Sequence, residues 1–393
     1  MKRFIACMLV MVLFVAMVSG CANKKEQSVA DNGTEQNSTE NNSSDPNEND
    51  SVTDEREIKS AVLIISGNLG DKGFSDLAYA GMKRAESELG LRIKVVELGG
   101  DNTKQIPVLT EFAEDPEWDL IVSGTYGMKE SIQKVAEEHP DARFLVYDAE
   151  MNYEGGKLSN VCSMEHRQYE ASFLAGALAA ALTSSGEENT NPEKLVGFVG
   201  GGENVSINDF LVGYIQGVQY VNDTCKVLIS YVGDFTNTAK AKEMTIAQCN
   251  QGADIIYAVA GGASLGVLDG AAEMGCFSIG VDQDQYEALK DNSPELAAHI
   301  VSSVVKRLDN TVFTMINGAY SGTLSWGTHS YVGLAENSMG IAANEQYGRV
   351  VPEDIQKMLS DVEEKLRSGE LTPKSAFGMS TEEVTEYKNS AKP

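Results

Sequence analysis

Eight short runs rich in β-branched and aromatic residues punctuate the chain, at 61–66, 93–98, 120–123, 144–148, 195–199, 227–232, 255–260 and 277–281. Most are separated by amphipathic segments of helical spacing. Strands that alternate with helices lie parallel and carry helices on both faces of their sheet. The pattern predicts a doubly wound α/β architecture in two similar halves, 58–165 and 166–284. A later segment near 285–320 is expected to return to the first half, 325–375 to pack on the second, and 376–393 to form a C-terminal tail. A folded part of this length also exceeds what one hydrophobic core usually fills.

The first 57 residues read differently. Lys2 and Arg3 precede an apolar run from Phe4 to Val18, followed by Val18-Ser19-Gly20-Cys21. The run is too short and wrongly flanked to span a membrane. It reads as a signal segment, 1–20, ending in what resembles a lipoprotein lipobox, so cleavage would leave Cys21 as a lipid-bearing residue. Residues 21–57 are rich in Asn, Ser, Glu, Asp, Gln and Thr and almost devoid of apolar side chains. Such a stretch cannot bury enough surface to offset the entropy of ordering, and is expected to be a disordered tether. The folded part is thereby expected on the outer side of the cell membrane, held to it by lipid.

The formal charge of −27, from 31 basic and 58 acidic residues, argues against a nucleic-acid partner, whose phosphates require a basic face. Four cysteines remain after the signal and Cys21 are set aside: Cys162, Cys225, Cys249 and Cys276. None has Cys-x-x-Cys spacing and all lie in or beside apolar stretches, so buried free thiols are expected. His139, His166, His299 and His329 are scattered with no ligand-cluster spacing, and no metal or other cofactor is expected.

In open parallel sheets ligands bind beyond the carboxyl ends of the strands, which selects the residues that follow each run. After the first comes Gly67-Asn68-Leu69-Gly70-Asp71-Lys72-Gly73-Phe74-Ser75-Asp76, a Gly-rich turn opening a helix. Phe74 there reads equally as an exposed ring at a cleft or as a hydrophobic staple. Asp148 follows the fourth run and could simply cap a turn. Gly200-Gly201-Gly202 follows 195–199, and Phe210 lies beyond it at helical spacing from Tyr214, which also suits a core residue. Gly280-Val281-Asp282-Gln283-Asp284 closes the last run. A carboxylate there can accept two hydrogen bonds from a vicinal diol, as in a ribose, or cap a helix.

The glycine clusters match neither the Gly-x-x-x-x-Gly-Lys loop nor a dinucleotide turn, which disfavours nucleotides. A nucleoside, with two π faces and a cis-diol but no phosphate, suits rings and carboxylates; a sugar or furanosyl signal would also suit them. One enzymatic pattern stands beside these. Gly262-Ala263-Ser264-Leu265-Gly266 fits Gly-x-Ser-x-Gly, with Asp282 and His299 or His329 later in hydrolase order, as in a serine esterase. Two glycines and an alanine separate Ser264 from the strand end, so a backbone-contacting cleft loop is the preferred reading and no enzyme is expected.

Taken in order, the lipobox, Asp71-Lys72-Gly73-Phe74-Ser75-Asp76, Gly197-Phe198-Val199-Gly200-Gly201 with Phe210 and Gly213-Tyr214, Gln251-Gly252-Ala253-Asp254-Ile255-Ile256-Tyr257 with Ala260-Gly261-Gly262, and Gly280-Val281-Asp282-Gln283-Asp284-Gln285 resemble the basic membrane protein family. That family comprises lipoprotein substrate-binding components of nucleoside ABC transporters. The resemblance runs from about residue 61 to 335. It implies a type I periplasmic-binding-protein fold, two doubly wound parallel-sheet lobes joined by a hinge, acting as a monomer that holds a purine nucleoside and delivers it to an ABC permease. It further implies a base between Phe74 and Phe210, ribose hydroxyls on Asp148 and Asp282, and Lys306 reaching the ligand, with Asp76 and Gly261 completing the candidate set. Where the family commonly reads Phe-Asn-Asp, the chain reads Phe74-Ser75-Asp76. That loses an amide able both to donate and to accept at a base edge, and leaves base preference open.

Overall fold

The computed structural model describes residues 57–393; the signal segment, Cys21 and the chain up to residue 56 lie outside the described residues. The first lobe begins with β1 (Ser60–Ile65), α1 (Phe74–Leu89), β2 (Arg92–Glu97), α2 (Gln105–Glu114), β3 (Leu120–Gly124), α3 (Lys129–Glu138), β4 (Phe144–Tyr147) and β5 (Val161–His166). The chain then enters the second lobe with α4 (Gln168–Thr183), β6 (Leu195–Gly200), α5 (Val205–Val221), β7 (Lys226–Tyr231), α6 (Thr238–Asn250), β8 (Ile255–Val259), α7 (Ser264–Glu273), β9 (Phe277–Asp282), α8 (Gln285–Leu289), α9 (Pro294–Ala297) and β10 (Ile300–Lys306). It returns for α10 (Leu308–Tyr320) and β11 (Thr328–Val332), and crosses back for β12 (Met339–Ile341), α11 (Glu345–Val350), α12 (Glu353–Ser368) and α13 (Thr381–Ala391).

Each lobe holds a six-stranded sheet, in the orders β11-β5-β4-β3-β1-β2 and β12-β10-β9-β8-β6-β7. The two orders correspond strand for strand, and every pairing is parallel except β10 with β12. Alternate residues of a strand feed different cores. In β1, Ala61, Leu63 and Ile65 pack with α1 and α10, whereas Val62 and Ile64 pack on the opposite face of the sheet. Burial on both faces is why these strands read as continuous apolar runs. In the second lobe α4 and α5 approach so closely that a Cβ at Gly176 would lie 2.0 Å from the Tyr214 carbonyl oxygen, and one at Gly217 1.9 Å from that of Phe173. These glycines hold together the two helices that carry Gln168 and Phe210.

Three crossings join the lobes: Arg167 between β5 and α4, Arg307 between β10 and α10, and residues 333–338 between β11 and β12. They are tied to one another, the Arg167 N–H donating to the Val332 carbonyl (2.8 Å) and the Arg307 N–H to that of Ser338 (2.9 Å). Two expected placements are corrected here. Residues 285–306 stay with the second lobe, because β10 pairs with β9, and only α10 crosses back. Within 325–375, β11 joins the first sheet beside β5. A sheet switch made by a single residue leaves no loop signal in the sequence. The segment 376–393, expected as a tail, forms α13, which opens on a capping box of Ser380 and Glu383 and packs on α5 through Val384.

Candidate interlobe ligand site

The carboxyl ends of the two sheets present Asp148, the first residue past β4, and Asp282, the last of β9, at corresponding positions in the two strand orders. Both adopt positive φ, 56° and 70°, as does Lys72 at 51°. Residues other than glycine held in this region carry local strain, which collects where geometry serves recognition.

Lys306, at the end of β10 and 2% exposed, lies at the centre. Its Nζ is 2.5 Å from Asp148 Oδ1 and donates to Gln168 Oε1 (2.9 Å), and it stands 5.3 Å from the Phe74 ring centroid and 5.6 Å from that of Phe210. Gln168 is aimed by its amide, which donates to the Ser206 carbonyl and hydroxyl, both at 3.1 Å. His166 Nδ1 lies 3.6 Å from Asp148 Oδ1, while its Nε2 meets Thr311 Oγ1 on α10 at 3.0 Å. One ammonium therefore joins residues from both lobes and from both sides of two crossings.

The acids divide around that ammonium. Burial alone would raise the Asp148 carboxyl, but Lys306 and His166 outweigh it and hold it at about 2. Asp282 is pushed up to about 7 by burial, with Asp71 and Asp148 adding to the rise and Lys306 opposing it. Burial likewise takes Asp209 to about 7 and Glu165 to about 8. Burial also lowers the basicity of His166.

The first-lobe turn closes onto the second lobe. The Lys72 carbonyl accepts from Gln283 Nε2 (2.6 Å) and Gln285 Nε2 (2.9 Å), and a Cβ at Gly73 would sit 3.0 Å from Asp282 Oδ2. Asp71 caps α1, accepting from the N–H groups of Gly73 (3.0 Å), Ser75 (2.8 Å) and Asp76 (3.2 Å). Asp76, one of the candidate ligand residues, accepts from the N–H groups of Gly70 (2.7 Å) and Lys72 (3.0 Å). Its oxygens hold the turn in shape, as a carboxylate does beside free backbone donors.

Phe74 is half-buried, its ring 5.7 Å from that of Tyr147. Phe210 is 4% exposed and belongs to the second-lobe core, as a residue at helical spacing from Tyr214 would, and its ring also faces Lys306. Gly261 (φ +57°) lies beneath a ring that sequence reading passed over: Phe235, 42% exposed, follows the carboxyl end of β7 and covers Gly201, where a Cβ would meet it at 2.4 Å. A Cβ at neighbouring Gly262 would lie 3.8 Å from Asp71 Cβ, so Phe235 stands at the rim between the lobes. The rule that selected the other residues, applied to β7, would have found it. Two solvent-open hollows, of about 370 and 200 Å3, lie elsewhere and contain none of these residues.

Ser264, the first residue of α7, is buried, and its Oγ accepts from the Ala260 N–H (2.9 Å) in the turn before the helix. His299 precedes β10, at the opposite end of the sheet, where its Nδ1 meets the Cys276 carbonyl (3.0 Å); His329 is in the first lobe, 2.7 Å from Ser163 Oγ. The elbow pattern thus has no base to activate it. Among the described residues no group of three or more His, Cys, Asp or Glu is arranged to hold a metal ion.

Two doubly wound lobes joined by three crossings define the type I periplasmic-binding-protein fold. A solute-binding protein of an ABC transporter from Aeropyrum pernix has the same fold, with a TM-score of 0.70 at 24% identity, covering 85% of this chain and 99% of that one. Residues 58–372 match the family described as ABC transporter substrate-binding protein PnrA-like, and the chain belongs to that family. Among curated relatives, Basic membrane protein D of Borreliella burgdorferi is 27% identical over 293 residues, 74% of this chain and 80% of that protein. The CD4+ T-cell-stimulating antigen of Listeria monocytogenes is 23% identical over 333 residues, 80% and 88% of the two chains. The protein is an ABC transporter substrate-binding protein and not an enzyme.

Proposed function

We propose that the protein captures a purine nucleoside between its lobes and passes it to an ABC permease, while Cys21 anchors it by lipid to the outer face of the cell membrane. The observation that carries the ligand class is the grouping of Phe74, Phe210, Asp148 and Lys306 in one buried cluster, with Asp282 across from Gly73. Phe74 and Phe210 offer π faces to a base, worth about 1–3 kcal/mol each. Phe235 supplies a further face at the rim. Asp148 and Asp282 accept from ribose hydroxyls, and a ligand lacking a matching hydroxyl leaves a buried acceptor unmet. A 5′-phosphate would bring a dianion to a site whose one ammonium, Lys306, is already paired with Asp148. Several relatives carry lipoprotein or membrane-protein names, which supports the location.

A thermal-shift panel of nucleosides, free bases, nucleotides, pentoses and hexoses tests the reading. A ligand of the native state stabilises by RT ln(1 + [L]/Kd), about 2.7 kcal/mol at a hundredfold excess. Nucleosides should raise Tm and the other classes should not. A sugar that shifts Tm where nucleosides fail would replace the ligand.

A further inference from the structure

The family match ends at residue 372, yet the chain beyond it is hydrogen-bonded to Asp209, the residue before Phe210. We propose that the C-terminal segment 373–391 is a strap that positions the Phe210 wall of the site through Asp209 and Asn208. The affinity part of this proposal rests on the nucleoside reading above; the positioning part does not.

Asp209 is 0% exposed and precedes Phe210 on α5. Its Oδ1 accepts from Ser375 Oγ (2.6 Å) and from the Ala376 N–H (2.7 Å), and the Ser375 hydroxyl is itself fixed by accepting from the Phe377 N–H (3.0 Å). Two turns further along α5, Gln216 and Lys374 exchange two bonds: Gln216 Nε2 donates to the Lys374 carbonyl (2.8 Å) and the Lys374 N–H to Gln216 Oε1 (2.9 Å). A second point of attachment comes from α13. Lys388, only 8% exposed, reaches Glu203 Oε1 (2.6 Å) and lies 4.8 Å from the Tyr231 ring centroid, and the Tyr231 hydroxyl donates to Asn208 Oδ1 (2.6 Å). Glu203 and Asn208 bracket the start of α5, directly after the glycine turn that ends β6.

Three consecutive residues thus have distinct duties: Asn208 is held through Tyr231 by Lys388, Asp209 by Ser375 and Ala376, and Phe210 faces Lys306. Simple packing of the strap would need only apolar contact, which Val212, Ala376 and Val384 already supply. A buried carboxylate costs stability unless its donors are in place, so its use here ties one position of α5 to one position of the strap. The bond directions converge on the residue beside the ring.

The test uses the full chain with 4-fluorophenylalanine placed singly at position 210 or, as a control in the same lobe, at position 198. Fluorine NMR is recorded without ligand for wild type, Ser375→Ala, Lys388→Met and Ser375→Thr. The Phe210 signal should move in Ser375→Ala and Lys388→Met, the Phe198 signal should stay, and Ser375→Thr, which keeps the hydroxyl, should restore the wild-type signal. Unlabelled Ser375→Ala should bind inosine about tenfold more weakly, because the Phe210 wall is displaced before ligand arrives. A Phe210 signal unmoved in both variants, or moved no more than that of Phe198, overturns the proposal. A moved signal with undiminished inosine affinity overturns it as well. Wild-type protein that does not bind inosine refutes the nucleoside reading and leaves the fluorine result to decide the strap.

Discussion

Replacing Asp282 by Asn should stabilise the unliganded protein in neutral solution while harming recognition. Aspartate ionises near 3.8 in an exposed chain, whereas burial between Gly73 and the second sheet pushes Asp282 up to about 7. Between those pH values the folded protein keeps a proton that the unfolded chain has lost. The group's contribution is therefore greatest below about pH 4, declines as pH rises, and is gone above about pH 7. An interval of about 3 pH units, at about 1.4 kcal/mol each, sets an upper figure of about 4 kcal/mol. Asn keeps the shape and never ionises. Asp209 and Glu165, which titrate in the same range, are present in both proteins and cancel in the difference. Urea unfolding of both proteins from pH 4 to pH 8.5 should give curves that nearly coincide at the acid end and separate steadily, with the variant higher, up to pH 7. In calorimetry the same variant should lose affinity for inosine far more than for hypoxanthine, since the acceptor pair facing the ribose becomes a mixed amide. Stability curves that stay parallel across the whole range would refute the burial argument for Asp282.

Three further outcomes are expected. Lys306→Met should cost about 3–5 kcal/mol of stability because it strands the Asp148 carboxylate, and adding Asp148→Asn should recover part of that loss, both read from melting curves. Phe235→Ala should leave Tm nearly unchanged, since the ring is 42% exposed, whereas Phe210→Ala should cost about 3–5 kcal/mol of stability; each should weaken nucleoside binding by about 1–3 kcal/mol in calorimetry. Gly73→Ala should weaken nucleoside binding, because the added methyl would lie 3.0 Å from Asp282 Oδ2; calorimetry with inosine checks it, and unchanged affinity would count against that contact.

The strands were readable because Leu63 and Val62, adjacent in β1, are both fully buried and feed different cores, so no polar alternation interrupts the run. Asp148 and Asp282 were readable from one rule about the carboxyl ends of parallel strands. The crossings were not, since Arg167 and Arg307 switch a strand to the other lobe's helix within one residue, and the pattern on either side is the same strand-then-helix. Lys306 entered the candidate set through the family resemblance alone, since nothing in its own sequence neighbourhood signals a buried partner, and only the fold brings Asp148 and Gln168 to it. The bonds that Asp76 accepts from Gly70 and Lys72 could not be read from the sequence, since a linear reading does not count backbone donors within a turn. Phe235 was hidden in Gly233-Asp234-Phe235-Thr236-Asn237, whose turn-forming residues drew attention away from the ring.

The central claim, that the interlobe cluster holds a nucleoside, is tested most directly by a crystal structure of the protein grown with inosine. The account predicts the base against the Phe74 and Phe210 rings and the ribose hydroxyls within hydrogen-bond distance of Asp148 and Asp282. Inosine bound away from Lys306, or a cleft that closes without it at saturating concentration, would contradict the account.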